Sequence, residues 1–286
     1  MSLNIIQNIR DGVKRAHPIR YFLAKILVKT GLCAIFIINR DGYKLRFYPS
    51  NISVKMYVEG PLYLRDDELI IKKFLEEGDI YVDVGANVGH LLFTAKSVVG
   101  SKGVAIGVEP HPRIFRYLAA NATLNRADVD LKNVAVGSSP GSVNFSDGHS
   151  DDMNAVLAAG SGITVEMQTL DQLLKDVPRI DLLKIDVEGY ELEVLKGAEH
   201  VLNKTRLVYF ESYMELAEKF GYRTGDIIKL LVGKGFSVFQ SRQGGWRQVD
   251  PDHVSKNWEN LLAARGPEII QHMLETDVGG VEAMLP

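Results

Sequence analysis

The sequence is poor in cysteine and has no large excess of one charge. Its 286 residues include a single cysteine, Cys33, so no disulfide can form within the chain. Because disulfides belong to oxidising compartments, this favours a reducing, cytoplasmic location. The 33 basic and 36 acidic residues give a net charge of -3. A nucleic-acid-binding protein needs a basic surface or stripe, so no nucleic-acid partner is predicted.

Long apolar runs are also missing. Residues 31–38 are apolar but too few to span a bilayer, and Lys25 and Lys29 interrupt any longer window. No small-residue cleavage site follows a suitable apolar core, so no signal peptide is expected. The first forty residues carry seven basic side chains against one acid, Asp11, which is a net charge of +6. The N-terminal end is therefore basic.

Residues 19–28 are expected to form a helix with one apolar face. That face consists of Ile19, Phe22, Leu23, Ile26 and Leu27. The favoured interpretation is that the helix packs on the rest of the domain, because helices with an apolar face are usually partly buried. The alternative is a peripheral contact with an anionic membrane.

The most informative segment reads as a strand, a glycine-bounded loop and a helix. Residues 80–84 are mainly apolar and contain Asp83, residues 85–89 read Gly-Ala-Asn-Val-Gly, and an amphipathic stretch follows. Glycines let a backbone approach a bound nucleotide, and a helix N-terminus presents its N–H groups there. A second strand ends before Glu109, about twenty residues past the loop, where an acid can hold a ribose diol. Together these features predict a site for an adenosine-type cofactor.

The loop also indicates which cofactor. A dinucleotide fingerprint has a middle glycine that lets the backbone reach the pyrophosphate, but Asn87 occupies that position. An acid, Asp83, precedes the loop instead. S-adenosylmethionine has no phosphate and carries a cationic amino group and a sulfonium, which suit a carboxylate. The residues therefore favour a methyl-donor site, with an ordinary βαβ turn as the alternative.

Strands and helices alternate through the rest of the chain. A hairpin strand at 43–48 is expected before the core. The predicted strands are 80–84, 104–108, 129–136, 163–168, 180–185, 207–210 and 236–240, and the predicted helices are 66–76, 91–99, 114–125, 170–175, 191–202 and 224–234. Such alternation predicts an α/β fold with a doubly wound, mostly parallel sheet.

We expect three parts in the chain. Residues 1–78 form an N-terminal extension with a basic helix and a hairpin, residues 79–240 form the core, and residues 241–286 form a helical tail. Residues 149–162 are small and polar, which favours a mobile lid over the substrate.

Four ordered motifs carry a resemblance to a known family. They are Asp83-Val-Gly-Ala-Asn-Val-Gly89, Val108-Glu-Pro-His-Pro112, Asn133-Val-Ala-Val-Gly137, and Asp181-Leu-Leu-Lys-Ile-Asp-Val-Glu-Gly-Tyr-Glu191 with Leu195-Lys-Gly-Ala198. In this order they resemble the FkbM methyltransferase family, and the resemblance spans residues 81–240. It implies a Rossmann-like methyltransferase fold. It also implies transfer of a methyl group from S-adenosylmethionine to a hydroxyl oxygen of a sugar or secondary metabolite.

The resemblance also implies roles for single residues. Asp83, Gly85 and Asn87 would line the methionine end of the cofactor, with Gly89 closing the loop. Glu109 would hold the ribose. The adenine edge would lie along Asn133 to Ala135. The implied partner is a small-molecule or saccharide acceptor.

Asp186 and Glu188 are the candidate catalytic residues. They follow a predicted buried strand, at the edge where open α/β sheets bind ligands, and an extended chain would put both on one face. An alcohol is a poor nucleophile at neutral pH, and methyl transfer releases a proton that a carboxylate can take. We expect Asp186 to act as base or to orient the acceptor, with Glu188 as its partner.

Other interpretations stay open at this point. The two carboxylates could hold a magnesium ion, which would lower the pKa of the hydroxyl, but spacing identifies no third ligand. Glu211 ends a later strand and either faces the site or is solvated, and His111 is either a contact or part of a turn. The chain could also be a non-catalytic nucleotide-binding or assembly module, or an NAD-dependent oxidoreductase.

Overall fold

A computed structural model describes residues 17–147, 155–157, 162–242 and 245–275. The basic residues before position 17 and most of the predicted lid lie outside the described residues. None of the helices described is both long and apolar enough to cross a membrane.

The described helices and strands follow the predicted alternation. The helices are α1 Pro18–Thr30, α2 Asn51–Glu59, α3 Arg65–Phe74, α4 His90–Val99, α5 Pro112–Asn125, α6 Leu170–Leu173, α7 Glu191–Lys196, α8 Glu199–Asn203, α9 Met214–Lys219, α10 Thr224–Gly233 and α11 Pro267–Glu275. The strands are β1 Ile37–Asn39, β2 Lys44–Arg46, β3 Ile80–Val84, β4 Val104–Val108, β5 Asp130–Lys132, β6 Ala135–Val136, β7 Gly141–Phe145, β8 Ile163–Gln168, β9 Ile180–Ile185, β10 Thr205–Ser212, β11 Ser237–Arg242, β12 Gly245–Val249 and β13 Glu259–Ala264. Short 3₁₀ turns span Leu32–Ile35 and Gly60–Leu62.

An eight-stranded sheet forms the centre of the molecule. Its strand order is β12-β11-β13-β10-β9-β3-β4-β5. Neighbours from β10 through β5 pair in parallel, whereas β13 and β12 run antiparallel to their neighbours. The predicted α/β, mostly parallel sheet is therefore confirmed.

Both faces of the sheet are covered, because alternate strand residues point to opposite sides. Tyr81 and Leu182 pack in one apolar core with α4 and α5. Val82 and Leu183 pack in a second core, together with residues of α7, α8 and α10. Doubly wound folds place helices in this way.

The order of the strands reverses between β3 and β9. From β3 the chain moves outward through β4 to β5, and β9 then pairs on the other side of β3. This is the point at which open α/β sheets form a crevice at the carboxyl ends of their strands. The loops after β3 and β9 therefore define where a ligand is expected.

The structure corrects the predicted helical tail. Residues 245–264 contribute β12 and β13, and β13 lies between β10 and β11 with a buried Leu-Leu-Ala-Ala run. Leucine and alanine favour helices, so the local pattern misled the prediction, while burial between two strands decided the outcome. Only α11 is helical in the described part of the tail.

Two further predicted elements are interrupted. The helix predicted at 191–202 breaks at Gly197, where a Cβ would lie 2.1 Å from the carbonyl oxygen of Gly137. The strand predicted at 129–136 divides into β5 of the central sheet and β6 of a separate three-stranded sheet with β7 and β8. Tertiary contacts interrupt both the helix and the strand, and local sequence patterns do not contain information about those contacts.

The N-terminal extension contains the expected helix and hairpin. One face of α1 packs through Tyr21, Ala24 and Leu27 into a small core with Cys33 and Phe47. Strands β1 and β2 pair antiparallel on either side of Asp41 and Gly42 and form the hairpin. Packing of α1 on the domain is therefore observed, although Ile19, Leu23 and Ile26 of its predicted apolar face are exposed.

Gly85 is required where the loops after β3 and β9 cross. It has a φ of +85°, and a Cβ there would lie 1.8 Å from the carbonyl oxygen of Asp186. Gly78 has a similar φ of +92° but open space around it. The two glycines therefore share the same backbone requirement and differ in the room available for a side chain.

We predict that Gly85→Ala destabilises the protein by at least about 2 kcal/mol more than Gly78→Ala, because only the former adds a steric clash to left-handed strain. Chemical denaturation of both variants measures the difference in free energy of unfolding. Equal losses of stability in the two variants would show that the loops after β3 and β9 can move apart without a cost in free energy.

Candidate active site

A cavity of about 460 Å³ opens at the crevice between β3 and β9. Its lining includes residues from the loops after β3, β4 and β5, among them Gly85, Asn87 and Glu109. The N-terminal extension also contributes to the lining, through Ile52, Lys55, Tyr63, Leu64 and Asp67. A cavity of this size is suitable for a small-molecule ligand.

Lys184 connects the ends of β3 and β9. Its Nζ lies 3.3 Å from Asp83 Oδ1 and 3.2 Å from Asp186 Oδ2, and it donates to the carbonyl oxygen of Gly85 at 3.3 Å. Burial lowers the pKa of Lys184, but the carboxylates of Asp186 and Asp83 outweigh it and raise that pKa above the ordinary value. The ammonium therefore stays charged and holds both acids at the crevice.

Asp83 is a buried carboxylate on the cavity wall. Burial raises its pKa above the ordinary value, and Lys184 partly offsets the effect. Lys184 lies at ion-pair distance from Asp83. Beyond this ion pair, neither carboxylate oxygen of Asp83 has a hydrogen-bond donor among the described residues. A buried anion with unused acceptor capacity fits a cationic ligand group. Asp83 thus suits the amino group of S-adenosylmethionine.

Glu109 is positioned by backbone donors. Its Oε2 accepts from the N–H of Asn87 at 3.0 Å, and its Oε1 accepts from the N–H of His111 at 2.9 Å. The first of these bonds ties the loop after β3 to the loop after β4. Each carboxylate oxygen has more than one lone pair, so both can still accept from a ribose hydroxyl.

The remaining predicted cofactor residues fall into two groups. Ala135 lines the cavity, as does Gly85. Asn133 is not part of the cavity wall; its Nδ2 donates to the carbonyl oxygens of Glu109 and Pro110 at 2.8 Å and 3.1 Å. Gly89 is also outside the wall, and a Cβ there would collide with Phe93 and Leu118. Asn133 and Gly89 therefore shape the loops that carry the lining residues.

Three carboxylates that line the cavity lie close together. Oxygens of Asp186, Glu188 and Glu211 lie within 4.8 Å of one another. Because Phe210 of β10 pairs with Ile185 of β9, Glu211 follows at the level of Asp186. Spacing along the sequence had identified no third acid, since the sheet register that supplies Glu211 is not visible there.

The route by which Asp186 and Glu188 converge differs from the expected one. Strand β9 ends at Ile185, and Glu188 has a φ of +55°, so the segment turns and is not extended. Glu191 stabilises this turn by accepting from the N–H groups of Val187 and Gly189, both at 3.1 Å. The turn, and not strand alternation, brings the two carboxylates together.

Burial and the neighbouring carboxylates of Asp186 and Glu188 raise the pKa of Glu211 to about 10. Like charges that share a site cannot all ionise easily. Glu211 is thus protonated at neutral pH unless a cation offsets the repulsion.

The structure reveals a buried polar chain that sequence reasoning missed. Tyr43 Oη donates to Glu68 Oε1 at 2.6 Å and pairs with His90 Nδ1 at 2.7 Å, and Arg40 contacts Glu68 at 2.9 Å. Burial, together with the charges of Arg40 and Lys184, lowers the pKa of His90 well below its ordinary value. A neutral His90 therefore lines the cavity. No motif spacing joins these residues, because three of them lie in the N-terminal extension.

His111 has a local role in this arrangement. Its Nδ1 accepts from the N–H of Arg113 at the start of α5, and its Nε2 lies 3.1 Å from Asp147 Oδ1. It is outside the cavity wall. Of the two residues left open by the sequence, Glu211 faces the site and His111 stabilises the turn.

Comparison with known proteins agrees with this geometry. Residues 83–254 match the methyltransferase FkbM domain. The chain belongs to the FkbM methyltransferase family. It is therefore an S-adenosylmethionine-dependent methyltransferase, as the four motifs had indicated, and an NAD-dependent oxidoreductase is not supported.

Two curated relatives are methyltransferases. The chain is 29% identical over 227 residues to the hexuronic acid methyltransferase AglP of Haloferax volcanii, covering 77% of this chain and 88% of that protein. It is 31% identical over 207 residues to methyltransferase sdnD of Sordaria araneosa, covering 59% and 77% respectively. A solved FkbM methyltransferase from Methylobacillus flagellatus shares 16% identity with a TM-score of 0.43, covering 74% of this chain and 54% of that one.

We predict that Glu109→Ala weakens binding of S-adenosylhomocysteine by roughly 1.5–3 kcal/mol, the scale of a lost charged hydrogen bond. Calorimetric titration measures this affinity, and circular dichroism checks that the loops still fold. Glu166→Ala, at an exposed position outside the cavity, serves as the control. Unchanged affinity in the Glu109 variant would remove this residue from the ribose site.

Proposed function

We propose that the protein is an O-methyltransferase that acts on a hydroxyl group of a sugar or secondary-metabolite acceptor. The observation that carries this proposal is the group of carboxylates from Asp186, Glu188 and Glu211 in the same cavity as Asp83 and Glu109. An acceptor hydroxyl needs a group that removes its proton, and a donor site needs groups that hold the cofactor. The cavity supplies both kinds of group.

The cofactor would bind along the loops after β3, β4 and β5. Asp83, Gly85 and Asn87 would hold the methionine end, Glu109 the ribose, and Ala135 the adenine edge. Gly89 and Asn133 would support these loops without contacting the ligand. When bound, S-adenosylmethionine supplies an electrophilic methyl group on a sulfonium.

The chain's own residues would align the acceptor and remove its proton. Asp186 lies beside the buried Lys184 and would orient the acceptor oxygen toward the methyl carbon. As the new C–O bond forms and the C–S bond breaks, the hydroxyl proton would pass to Asp186. Glu188 would assist by hydrogen bonding to the acceptor. Alignment and proton removal are the main sources of rate in such a displacement.

The acceptor class is supported by the hexuronic acid methyltransferase that this chain resembles. A screen with isotope-labelled S-adenosylmethionine should therefore include uronic acids, neutral sugars and small hydroxylated metabolites. A non-catalytic assembly module would transfer label to none of them while still binding S-adenosylhomocysteine.

We predict that Asp186→Asn lowers turnover of the acceptor found in that screen by about 10² or more, the usual scale for loss of a general base. Glu188→Gln should lower turnover less. Affinity for S-adenosylhomocysteine should stay close to that of the parent protein, and Asp176→Asn, at an exposed position, should change neither quantity. Native turnover in the Asp186 variant would disprove its role, and the neutral His90 would then be the next base to test.

A divalent cation is a second way to use the same acids. Three carboxylates are a suitable hard-oxygen set for magnesium, and a bound cation would lower the pKa of the acceptor hydroxyl. The clustering of Glu211 with Asp186 and Glu188 supports a metal site more strongly than the sequence did. Direct proton transfer and cation assistance differ in whether the enzyme needs a metal.

If a divalent cation binds at these three acids, we predict that its affinity depends on pH. The pKa of Glu211 is about 10, so a bound cation must displace its proton, and affinity should rise from neutral pH to about pH 9. Titration of metal-depleted protein with magnesium chloride measures this change, and Glu211→Gln should remove it. Full methyl transfer after exhaustive chelation would instead support direct proton removal by Asp186.

A further inference from the structure

Exposed apolar side chains are concentrated in one part of the N-terminal extension. Among the described residues, seven of the eleven large apolar side chains that are exposed lie between positions 19 and 37. We call this set the N-terminal patch; it consists of Ile19, Leu23, Ile26, Leu32, Ile35, Phe36 and Ile37. Ile19 is 83% exposed and Ile35 is 69% exposed. Such a concentration of apolar surface marks an interaction site.

Helix α1 has two apolar faces with different environments. Tyr21, Ala24 and Leu27 are buried against the domain, whereas Ile19, Leu23 and Ile26 point outward at helical spacing. Packing on the domain therefore explains the first face only. The second face is not buried by any described residue and is available for an interaction.

The charges within the segment that carries the patch are of one sign. Arg20, Lys25 and Lys29 are exposed on α1, and residues 17–40 contain no aspartate or glutamate. The chain as a whole has a net charge of -3, so this segment is opposite in sign to the rest. An apolar face flanked by cations is the arrangement that interfacial helices use on anionic membranes.

A second copy of the chain is a less suitable occupant. In a twofold dimer the same patch lies on both sides of the interface. Arg20, Lys25 and Lys29 of one copy would then face the same cations of the other, with no acid in the segment to offset them. Like charges across an interface oppose association.

The segment that carries the patch is connected to the wall of the active-site cavity. Arg20 and Ile37 lie on the walls of a groove of about 280 Å³, which also contains Arg40. The Arg40 guanidinium donates to the carbonyl oxygens of Gly60, Pro61 and Tyr63. Tyr63 in turn lines the active-site cavity. The extension thus carries both the patch and one wall of the cavity.

We propose that the N-terminal patch docks the enzyme on an anionic membrane surface. Ile19, Leu23 and Ile26 enter the interfacial layer, and Arg20, Lys25 and Lys29 contact the lipid headgroups. Because Tyr63 of the same extension lines the active-site cavity, docking attaches a segment of the cavity wall to the membrane. The proposal is independent of the methyl-transfer chemistry, because binding is measured without turnover.

Vesicle co-sedimentation of the full chain tests the proposal. We expect binding to vesicles of phosphatidylcholine mixed with phosphatidylglycerol, little binding to pure phosphatidylcholine, and loss of binding as salt screens the charges. The triple variant Ile19→Ser, Leu23→Ser and Ile26→Ser should bind at least about tenfold more weakly. Its fold should persist because all three side chains are exposed, and its melting temperature checks this.

Matched controls separate the patch from general surface properties. Val104→Ser, Val232→Ser and Val254→Ser remove exposed apolar groups elsewhere and should leave vesicle binding unchanged. Lys25→Glu with Lys29→Glu should abolish binding, whereas the same charge change at exposed Lys175 and Lys219 should not. The proposal is overturned if the parent protein does not bind anionic vesicles, or if the patch variants and the control variants bind these vesicles with the same affinity. A dimer in solution that the triple variant dissociates would assign the patch to a second copy instead.

Discussion

The active site depends on one buried ammonium group. Lys184 lies between Asp83 and Asp186, on adjacent parallel strands, and its side chain is 9% exposed while that of Asp83 is 1% exposed. Burial of a charge is unfavourable unless an opposite charge offsets it, and loss of one partner from such a pair typically costs about 3–5 kcal/mol. Lys184 therefore explains how acids can be held at the carboxyl ends of β3 and β9, where the donor and acceptor must meet.

Parallel pairing of the strands brings further residues of the candidate site together. Asp83, Asp186 and Glu211 each lie at the carboxyl end of a strand, and β3, β9 and β10 are neighbours in the sheet. The strand ends thus place the acid that we propose binds the cofactor, the candidate base and a third carboxylate in one cavity. Short loops with left-handed residues, such as Asn87 and Glu188, then turn the chain around the ligand site.

The N-terminal extension contributes to the candidate active site. It contributes residues to the cavity wall, and its Arg40, together with burial, lowers the pKa of His90, whose Nδ1 pairs with Tyr43. Its outer surface carries the N-terminal patch. The same extension therefore contributes both to the cavity wall and to the surface through which we propose that the protein docks.

The sequence alone determined the fold class and the family, and it identified four residues that line the cavity. Asp83, Gly85, Asn87 and Glu109 lie within local motifs, and a strand, a tight loop and a helix follow from local residue preferences. Tertiary structure decided what depends on register and burial. Glu211 joins Asp186 because β10 pairs with β9, Asn133 and Gly89 support loops away from the cavity wall, and β13 becomes a strand because it lies between two others. The Arg40 to His90 chain joins residues far apart in sequence, and only packing of the extension brings them into contact.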